Sequence, residues 1–413
     1  MVEASVTLEE ARALDSADPL RGFRDRFLLP EGLVYLDGNS LGAMPLATAA
    51  RIADTVEREW GEGMIGSWNA AGWVTAPQRI GAKIARLIGA EADEVIAADS
   101  TSINVFKALT AALSLRPGRR VILSERTNFP TDVYMMQGLA AFAGIEARTV
   151  APEDLVDNID DSVAVLLLTQ VHYKTGAVRD MAEVTARAHA AGALVVWDLS
   201  HSAGAIPVDL NGAGADFAVG CGYKYLNGGP GAPAFLFAAR RHQADAAPVL
   251  SGWFGHAQPF AFDENYAPAD GVTRFLCGTP PILGLAALEV GVDLMLEADM
   301  GAIRSKSVAL TGLFIELMEP LCTDFGFRLA SPRQSDRRGS QVSYSHPNGY
   351  EIMQALIARD VIGDFRAPDI LRFGVTPLYT RYADVAEAVT RLRDICDTRG
   401  WDREEFRVRS AVT

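Results

Sequence analysis

Short apolar runs alternate with amphipathic segments through much of the chain. Apolar residues that recur every three or four positions predict helices at residues 77–89, 103–114, 131–143 and 181–191. The apolar runs between and after these helices predict strands at residues 95–97, 121–123, 163–169, 194–197, 217–220 and 234–237. The run at 163–169 is almost wholly Val and Leu, which is typical of a strand buried on both faces. The alternation predicts a mainly parallel sheet covered by helices.

The C-terminal part of the chain follows a different pattern. After a long predicted helix at 284–298, further helices (303–318, 350–359, 383–393) mix with short strands (341–344, 370–374). This mixture indicates a smaller α+β domain. We therefore predict an α/β protein of three parts: an N-terminal helix and arm (1–40), a large domain (41–283), and a bridging helix with a small domain (284–413).

Composition and charge exclude several classes of protein. The chain has 413 residues and a net charge of −14, and no basic stripe is visible, which argues against nucleic-acid binding. No apolar run approaches the length of a membrane span. The acidic first five residues lead us to expect no signal peptide. The four cysteines lack metal-ligand spacing, so we expect reduced thiols, no metal and a cytoplasmic location.

One lysine, Lys224, lies in a loop rich in Gly and Pro at residues 221–231, and Asp198 ends a strand upstream of it. Ligands of parallel sheets bind at the carboxyl ends of the strands, where Asp198, Lys224 and Thr169 all fall. An amine for a Schiff base, a carboxylate for a pyridine nitrogen and glycines that admit a cofactor to the backbone together predict a pyridoxal 5′-phosphate (PLP) site. The alternative for Lys224 is an ordinary loop lysine beside a turn.

Two residues beside this pair have more than one interpretation. Tyr223 precedes the lysine, and its phenol suits a phosphate contact or proton transfer. His201 follows Asp198 closely and either orients that carboxylate, meets the phosphate or serves only the structure.

Further candidates lie at other element ends. Thr101 and Ser102 open a predicted helix, whose free N–H groups can bind a phosphate, although a plain helix cap is the alternative. Phe129 lies at a strand-to-helix corner. It is either a residue that stacks on a cofactor ring or a residue of the core. Arg372 on a short strand suits bidentate binding of a carboxylate, but alone it is better explained as a surface ion pair. Dinucleotide, Walker, zinc and serine-nucleophile motifs are absent.

Several motifs occur in one order that is similar to a known family. They lie at residues 35–42, 67–69, 129–132, 171–176, 197–204, 222–231 and 252–256, and at Arg372 with 377–379. The chain resembles the kynureninases over about residues 35–380, and the loop Tyr-Lys-Tyr-Leu-Asn-Gly-Gly-Pro-Gly is the most specific part of the resemblance. It implies the fold-type I architecture of PLP enzymes, with a mainly parallel seven-stranded sheet in the large PLP-binding domain.

The resemblance also implies a role for each candidate. Lys224 forms the Schiff base, Asp198 binds the pyridine nitrogen and Phe129 stacks on the ring. The other cofactor contacts would be Thr101, Ser102, Asp132, Thr169, His201, Tyr223 and Trp253. The substrate contacts would be Arg372 for the carboxylate and Trp68, Asn39 and Ser40 around the aryl ring. A homodimer with shared active sites is implied, in which Trp253 and Thr279 come from the neighbouring chain.

The implied reaction is hydrolysis of L-kynurenine at the Cβ–Cγ bond to anthranilate and L-alanine, with Lys224, Tyr223 and Asp198 as catalytic residues. Trp68 and Thr279 replace His and Asn of animal members, which implies a bacterial type that prefers kynurenine to 3-hydroxykynurenine. A cysteine desulfurase or related lyase is the alternative, but these enzymes have His before the lysine and a loop cysteine that this chain lacks. A PLP-fold protein without catalysis is disfavoured because Lys224 and Asp198 are both present.

Overall fold

A computed structural model describes residues 6–409 of the chain. The first five residues, on which the expectation of no signal peptide rests, lie outside the described residues. The chain divides into a large unit of residues 47–170 and 179–297 and a small unit of residues 1–46, 171–178 and 298–413. The domain boundaries given above stay predictions. In the observed division, the short segment 171–178 belongs to the small unit.

The large unit is built on a seven-stranded sheet, which confirms the predicted mainly parallel arrangement. Its strands follow the order Val95–Ala98, Ala234–Ala238, Phe217–Gly220, Leu194–Asp198, Val163–Thr169, Val121–Glu125 and Glu146–Val150. Ala234–Ala238 is antiparallel to both neighbours, and the remaining pairs are parallel. All six predicted strands are present. The edge strand Glu146–Val150 was missed because its polar residues interrupt any apolar run.

Helices cover this sheet. They are Leu46–Asp54, Ser67–Ala70, Ala76–Leu87, Thr101–Ser114, Pro130–Ala143, Met181–Ala190, Arg240–Gln243 and Ile282–Leu296. Short 3₁₀ turns occur at Met64–Gly66, Pro152–Asp154, Val156–Asn158, Trp253–Gly255 and Gly271–Phe275. In Ala76–Leu87 the apolar spacing buries Ile80, Ile84 and Leu87 on one face, as the periodicity predicts. The carboxyl ends of the parallel strands carry Thr169 and Asp198, and the lysine loop follows Phe217–Gly220.

The segment after Leu46–Asp54 departs from the expected helix. Apolar periodicity over residues 45–60 predicts one continuous helix, whereas Thr55–Glu62 is a π-helix. The wider turn buries Thr55 and Glu59 in this segment. A carboxylate on the buried side of a helix is costly unless it is paired, so Glu59 requires polar partners.

The small unit contains a four-stranded sheet in the order Arg328–Leu329, Gln341–Ser345, Ile370–Gly374 and Asp364–Arg366, all antiparallel. Its helices are Leu8–Ala17, Met300–Phe325, Gly349–Ile357 and Tyr382–Asp397, with 3₁₀ turns at Arg21–Arg26, Ser335–Arg337 and Glu404–Arg407. Shorter strand pairs join Phe27–Leu28 to Met44–Pro45 and Val34–Tyr35 to Val361–Ile362. Phe314, Tyr344 and Phe373 pack in its core. Among residues 6–409, none of the helices combines the length and hydropathy that crossing a bilayer requires.

Candidate active site

Lys224 is buried in its loop, with 8% of its surface exposed. Its Nζ lies 3.0 Å from Nε2 of His201, a residue from the loop after the neighbouring strand Leu194–Asp198. The Lys224 amine is also 5.7 Å from the centre of the Phe129 ring and 5.9 Å from that of Tyr223. The structure thus brings three other predicted site residues together around the Lys224 amine.

Close backbone packing fixes the lysine loop. The N–H of Gly228 donates to the carbonyl of Gly222 at 2.9 Å, which closes the loop around Lys224. A Cβ atom on Gly222 would lie 2.2 Å from the carbonyl oxygen of Pro233, so no larger residue fits there. Close packing at these glycines therefore fixes the position of Lys224, and glycine also permits the turns of the loop.

Two carboxyl groups lie side by side near the amine. Asp198 is buried at the end of its strand, and its Oδ1 accepts a 2.7 Å hydrogen bond from the N–H of Ser200. Asp132, in the first turn of Pro130–Ala143, is buried beside Asp198. Burial raises the pKa of Asp132 well above its usual range, and the charge of Asp198 raises it further, against the opposing charge of Lys224. Thr169 pairs with Asp198 across the two neighbouring strands.

The start of the helix Thr101–Ser114 has a cap that leaves the predicted hydroxyls available. Ser100 is the cap, and its hydroxyl accepts from the N–H of Ile103. The alternative of a plain helix cap therefore applies to Ser100 and not to Thr101 or Ser102. Just before this helix, the side chain of Asp99 pairs with Lys107, which is wholly buried, and sequence reasoning missed this contact.

The residues of the large unit fit PLP by their chemistry. Within residues 6–409, Oδ2 of Asp132 and Oγ1 of Thr101 are buried without a hydrogen-bond partner, and buried polar atoms are nearly always satisfied. A hydroxyl at a helix start suits a phosphate, the Phe129 ring offers a stacking face, and the buried Asp198 suits a protonated ring nitrogen. The Lys224 amine completes the set.

Arg372 is buried in the small unit, with 1% of its surface exposed, so the interpretation as a surface ion pair is wrong. Its Nε donates to Asp364 at 2.8 Å, and its Nη2 donates to the same carboxylate. Nη2 also donates to Ser40 at 2.7 Å, and Nη1 donates to the carbonyl of Tyr173 at 2.7 Å. Four of the five guanidinium N–H groups are thus engaged, which leaves one on Nη1 for a ligand. Asn39 is wholly buried and packs directly on Gly374, the residue that ends the Arg372 strand.

Sequence reasoning missed Asp364 as the partner of Arg372. The two residues lie opposite each other on the antiparallel strands Asp364–Arg366 and Ile370–Gly374. Opposite charges that face each other across a short hairpin are the signal that would have found this pair.

The other aromatic candidates form a cluster in the large unit. Trp68 is half-buried and lies edge-on to Trp73 and tilted against Phe254, each at 5.7 Å between ring centres. Trp253 packs edge-on against Phe254 at 4.6 Å and lines a cleft of about 420 Å³. Thr279 is exposed. Within residues 6–409 of one chain, the Lys224 amine contacts His201, Phe129 and Tyr223, and these contacts include neither Trp253 nor Thr279.

Solved structures with this architecture define the class of the fold. A cysteine desulfurase of Thermococcus onnurineus superimposes with a TM-score of 0.77 at 18% identity, covering 91% of this chain and 98% of that chain. A cysteine desulfurase of Escherichia coli gives 0.77 at 19% identity, covering 92% and 98%. At such identities the likeness concerns the fold alone. It confirms the predicted fold-type I architecture.

Sequence comparison is more specific than the fold. A kynureninase of Burkholderia mallei is 55% identical over 414 residues, covering 98% of this chain and all of the relative. A kynureninase of Pseudomonas fluorescens is 51% identical over 415 residues, with the same coverage. The family described as kynureninase C-terminal domain matches residues 303–392. The chain belongs to the kynureninase family, which confirms the predicted resemblance.

Proposed function

We propose that this protein is a PLP-dependent kynureninase that hydrolyses the Cβ–Cγ bond of L-kynurenine to anthranilate and L-alanine. The observation that carries the proposal is the buried Lys224 amine among His201, Phe129 and Tyr223, in a chain that is 51–55% identical to curated kynureninases over nearly its whole length. The desulfurase alternative is left with a likeness of fold only.

PLP, when bound, supplies an electron sink for negative charge that develops on the substrate carbons. We propose that Lys224 would hold the aldehyde carbon of PLP and would move the substrate α-proton. Asp198 keeps the proton on the ring nitrogen, and Phe129 fixes the ring plane. Tyr223 moves a proton at the substrate β-carbon. The remaining cofactor contacts proposed are Thr101, Ser102, Asp132, Thr169, His201 and, from a second chain, Trp253 and Thr279.

Substrate contacts form the second part of the proposal. Arg372 binds the substrate carboxylate through its remaining N–H group, and the Ser40 hydroxyl holds that side chain. Trp68, Asn39 and Ser40 contact the substrate around its aryl ring. A homodimer, a preference for kynurenine over 3-hydroxykynurenine and a cytoplasmic location belong to the same proposal. The location is supported by four cysteines that are all free.

The test combines a spectrum with a covalent label. Purified protein should show visible cofactor absorbance that changes on addition of kynurenine, with release of fluorescent anthranilate. Borohydride reduction followed by mass spectrometry should find the cofactor on Lys224. Lys224→Ala should abolish turnover, whereas Lys83→Ala, which changes a lysine on the outer helix Ala76–Leu87, should not. Turnover that survives in Lys224→Ala, or sulfide release from cysteine in place of anthranilate, would overturn the proposal.

A further inference from the structure

Glu59 is a buried carboxylate for which the proposed chemistry has no use. Only 5% of its surface is exposed, and it lies on the buried side of the π-helix Thr55–Glu62. Its Oε1 is 3.0 Å from Arg51 and 3.5 Å from the exposed Arg58. Its Oε2 accepts a 2.8 Å hydrogen bond from the indole N–H of Trp73. Burying a carboxylate is expensive, and the partners offset that cost only while each of them stays in place.

The contacts of Glu59 converge on Trp68 from two directions. The backbone oxygen of Glu59 accepts a 2.5 Å hydrogen bond from the hydroxyl of Ser67, which opens the short helix that carries Trp68. The carboxylate holds Trp73, and the Trp73 ring meets Trp68 edge-on at 86° and 5.7 Å. One residue therefore fixes both the backbone before Trp68 and the ring beside it.

The π-helix is what allows this double contact. A π-turn adds a residue to the helical repeat and rotates the following side chains, and such turns are frequent at functional sites. The bond from Gly63 N–H to the carbonyl of Arg58 closes the widened turn around Glu59 at 2.9 Å. With this turn, Glu59 faces Arg51 and Trp73 while Glu57 on the same helix is exposed.

We propose that Glu59 is a positioning residue that fixes the orientation of Trp68 through Trp73, and that it thereby sets how well the enzyme rejects a hydroxyl on the aryl ring of its substrate. The inference rests on the proposed contact between Trp68 and that ring. A Trp68 ring held on two sides cannot shift to admit an added hydroxyl, whereas a released ring can. Discrimination against an added hydroxyl in an apolar site is limited to about 100-fold, so a loss of about 5- to 10-fold is a substantial part of it.

The measurement is kcat/KM for 3-hydroxykynurenine divided by kcat/KM for kynurenine. We expect Glu59→Ala and Trp73→Phe to raise this ratio by about 5- to 10-fold. Glu59→Gln keeps an acceptor for the indole N–H and should preserve the wild-type ratio. Glu57→Gln, the matched control on the exposed side of the same helix, should also leave it unchanged. Near-ultraviolet circular dichroism of the holoenzyme should change in Glu59→Ala and keep its wild-type form in Glu59→Gln and Glu57→Gln.

An unchanged ratio in Trp73→Phe overturns the inference, and this conservative variant decides the matter if Glu59→Ala does not fold. A ratio that rises as much in Glu59→Gln as in Glu59→Ala also overturns it, because the acceptor would then have no role. Trp68→Phe separates this failure from that of the proposed function. If Trp68→Phe shifts the ratio and Trp73→Phe does not, only the role of Glu59 is wrong. If Trp68→Phe leaves the ratio unchanged, the aryl contact of Trp68 is wrong.

Discussion

Asp132 and Asp198 are buried side by side and differ in their proposed roles. Burial raises the pKa of Asp132 well above its usual range, and the charge of Asp198 raises it further, against the opposing charge of Lys224. The raised pKa favours the protonated form of Asp132. Asp198 is the carboxyl group of the proposed ring-nitrogen contact.

Exchanging each member for its amide separates these roles. Asp132→Asn keeps a donor for Asp198, so we expect kcat to fall by less than about 10-fold. Asp198→Asn removes the charge that would hold the ring proton, and we expect kcat to fall about 100- to 1,000-fold. Steady-state assays of anthranilate release with matched cofactor loading measure both. Equal losses in the two variants would contradict these separate roles for Asp132 and Asp198.

The sequence predicted residues whose signal is local and missed those whose signal is not. Asp198 and Lys224 follow apolar runs, and the ends of parallel strands meet on one edge, so their proximity could be expected. Asp364 was missed because its meaning depends on the register between two strands. Glu59 was missed because its burial depends on a π-turn, which shifts the phase of the helix in a way that apolar spacing does not encode.

At the scale of elements, the helix Ile282–Leu296 supports the lysine loop by direct backbone contact. Gly291 of this helix lies against the loop, where a Cβ atom would be 2.1 Å from the carbonyl oxygen of Leu226 and 2.9 Å from the backbone of Asn227. We expect Gly291→Ala to displace the loop and reduce cofactor retention, measured as visible absorbance per protein after dialysis. Gly312→Ala is the control, because that helical glycine has open space around it, and it should be neutral or stabilising by up to about 1 kcal/mol. Full retention in Gly291→Ala would show that the loop tolerates the shift.

The hairpin that carries Arg372 makes a prediction about stability. Asp364 is the buried partner of Arg372, and it also pairs at 2.6 Å with Arg366, whose side chain is 39% exposed. Asp364→Ala leaves the Arg372 charge buried without its carboxylate, and we expect a loss of about 3–5 kcal/mol in the free energy of unfolding. Arg366→Gln should cost less than about 1 kcal/mol. Urea denaturation of both variants tests this, and similar costs would argue against Arg372 as the dominant partner.

At the scale of the whole molecule, fold and family carry different information. The desulfurase structures share the architecture over about nine tenths of the chain, yet their identity is only 18–19%. Alternating strands and helices were enough to predict that architecture, because burial alone dictates it. The family was accessible only through particular motifs, such as Tyr223 before the lysine, that match one family. The bounds of the two units were harder to predict, since segment 171–178 joins the small unit through contacts distant in sequence.

The pH dependence of stability should carry the signature of one small-unit carboxyl group. Burial and the charge of Asp364 raise the pKa of Asp37 to about 7, against the opposing charge of Arg372. The unfolded chain releases this proton near a pH of about 4, so the folded protein holds more protons between about pH 4 and about pH 7. The stability from this proton is therefore fully present below about pH 4 and is lost as pH rises through about 7.

Asp37→Asn removes this titration, and its effect has a definite sign. Between about pH 5 and about pH 8, the melting temperature of the unaltered protein should fall relative to that of Asp37→Asn, because only the former must release a proton from the folded state. Scanning calorimetry at matched ionic strength measures the difference. Asp25→Asn changes an exposed carboxylate of the same unit, and its melting temperature should depend on pH in the same way as that of the unaltered protein. If the melting temperature of Asp37→Asn also follows that of the unaltered protein across this pH range, Asp37 is already ionised below neutral pH. Its burial against Asp364 then does not govern its charge.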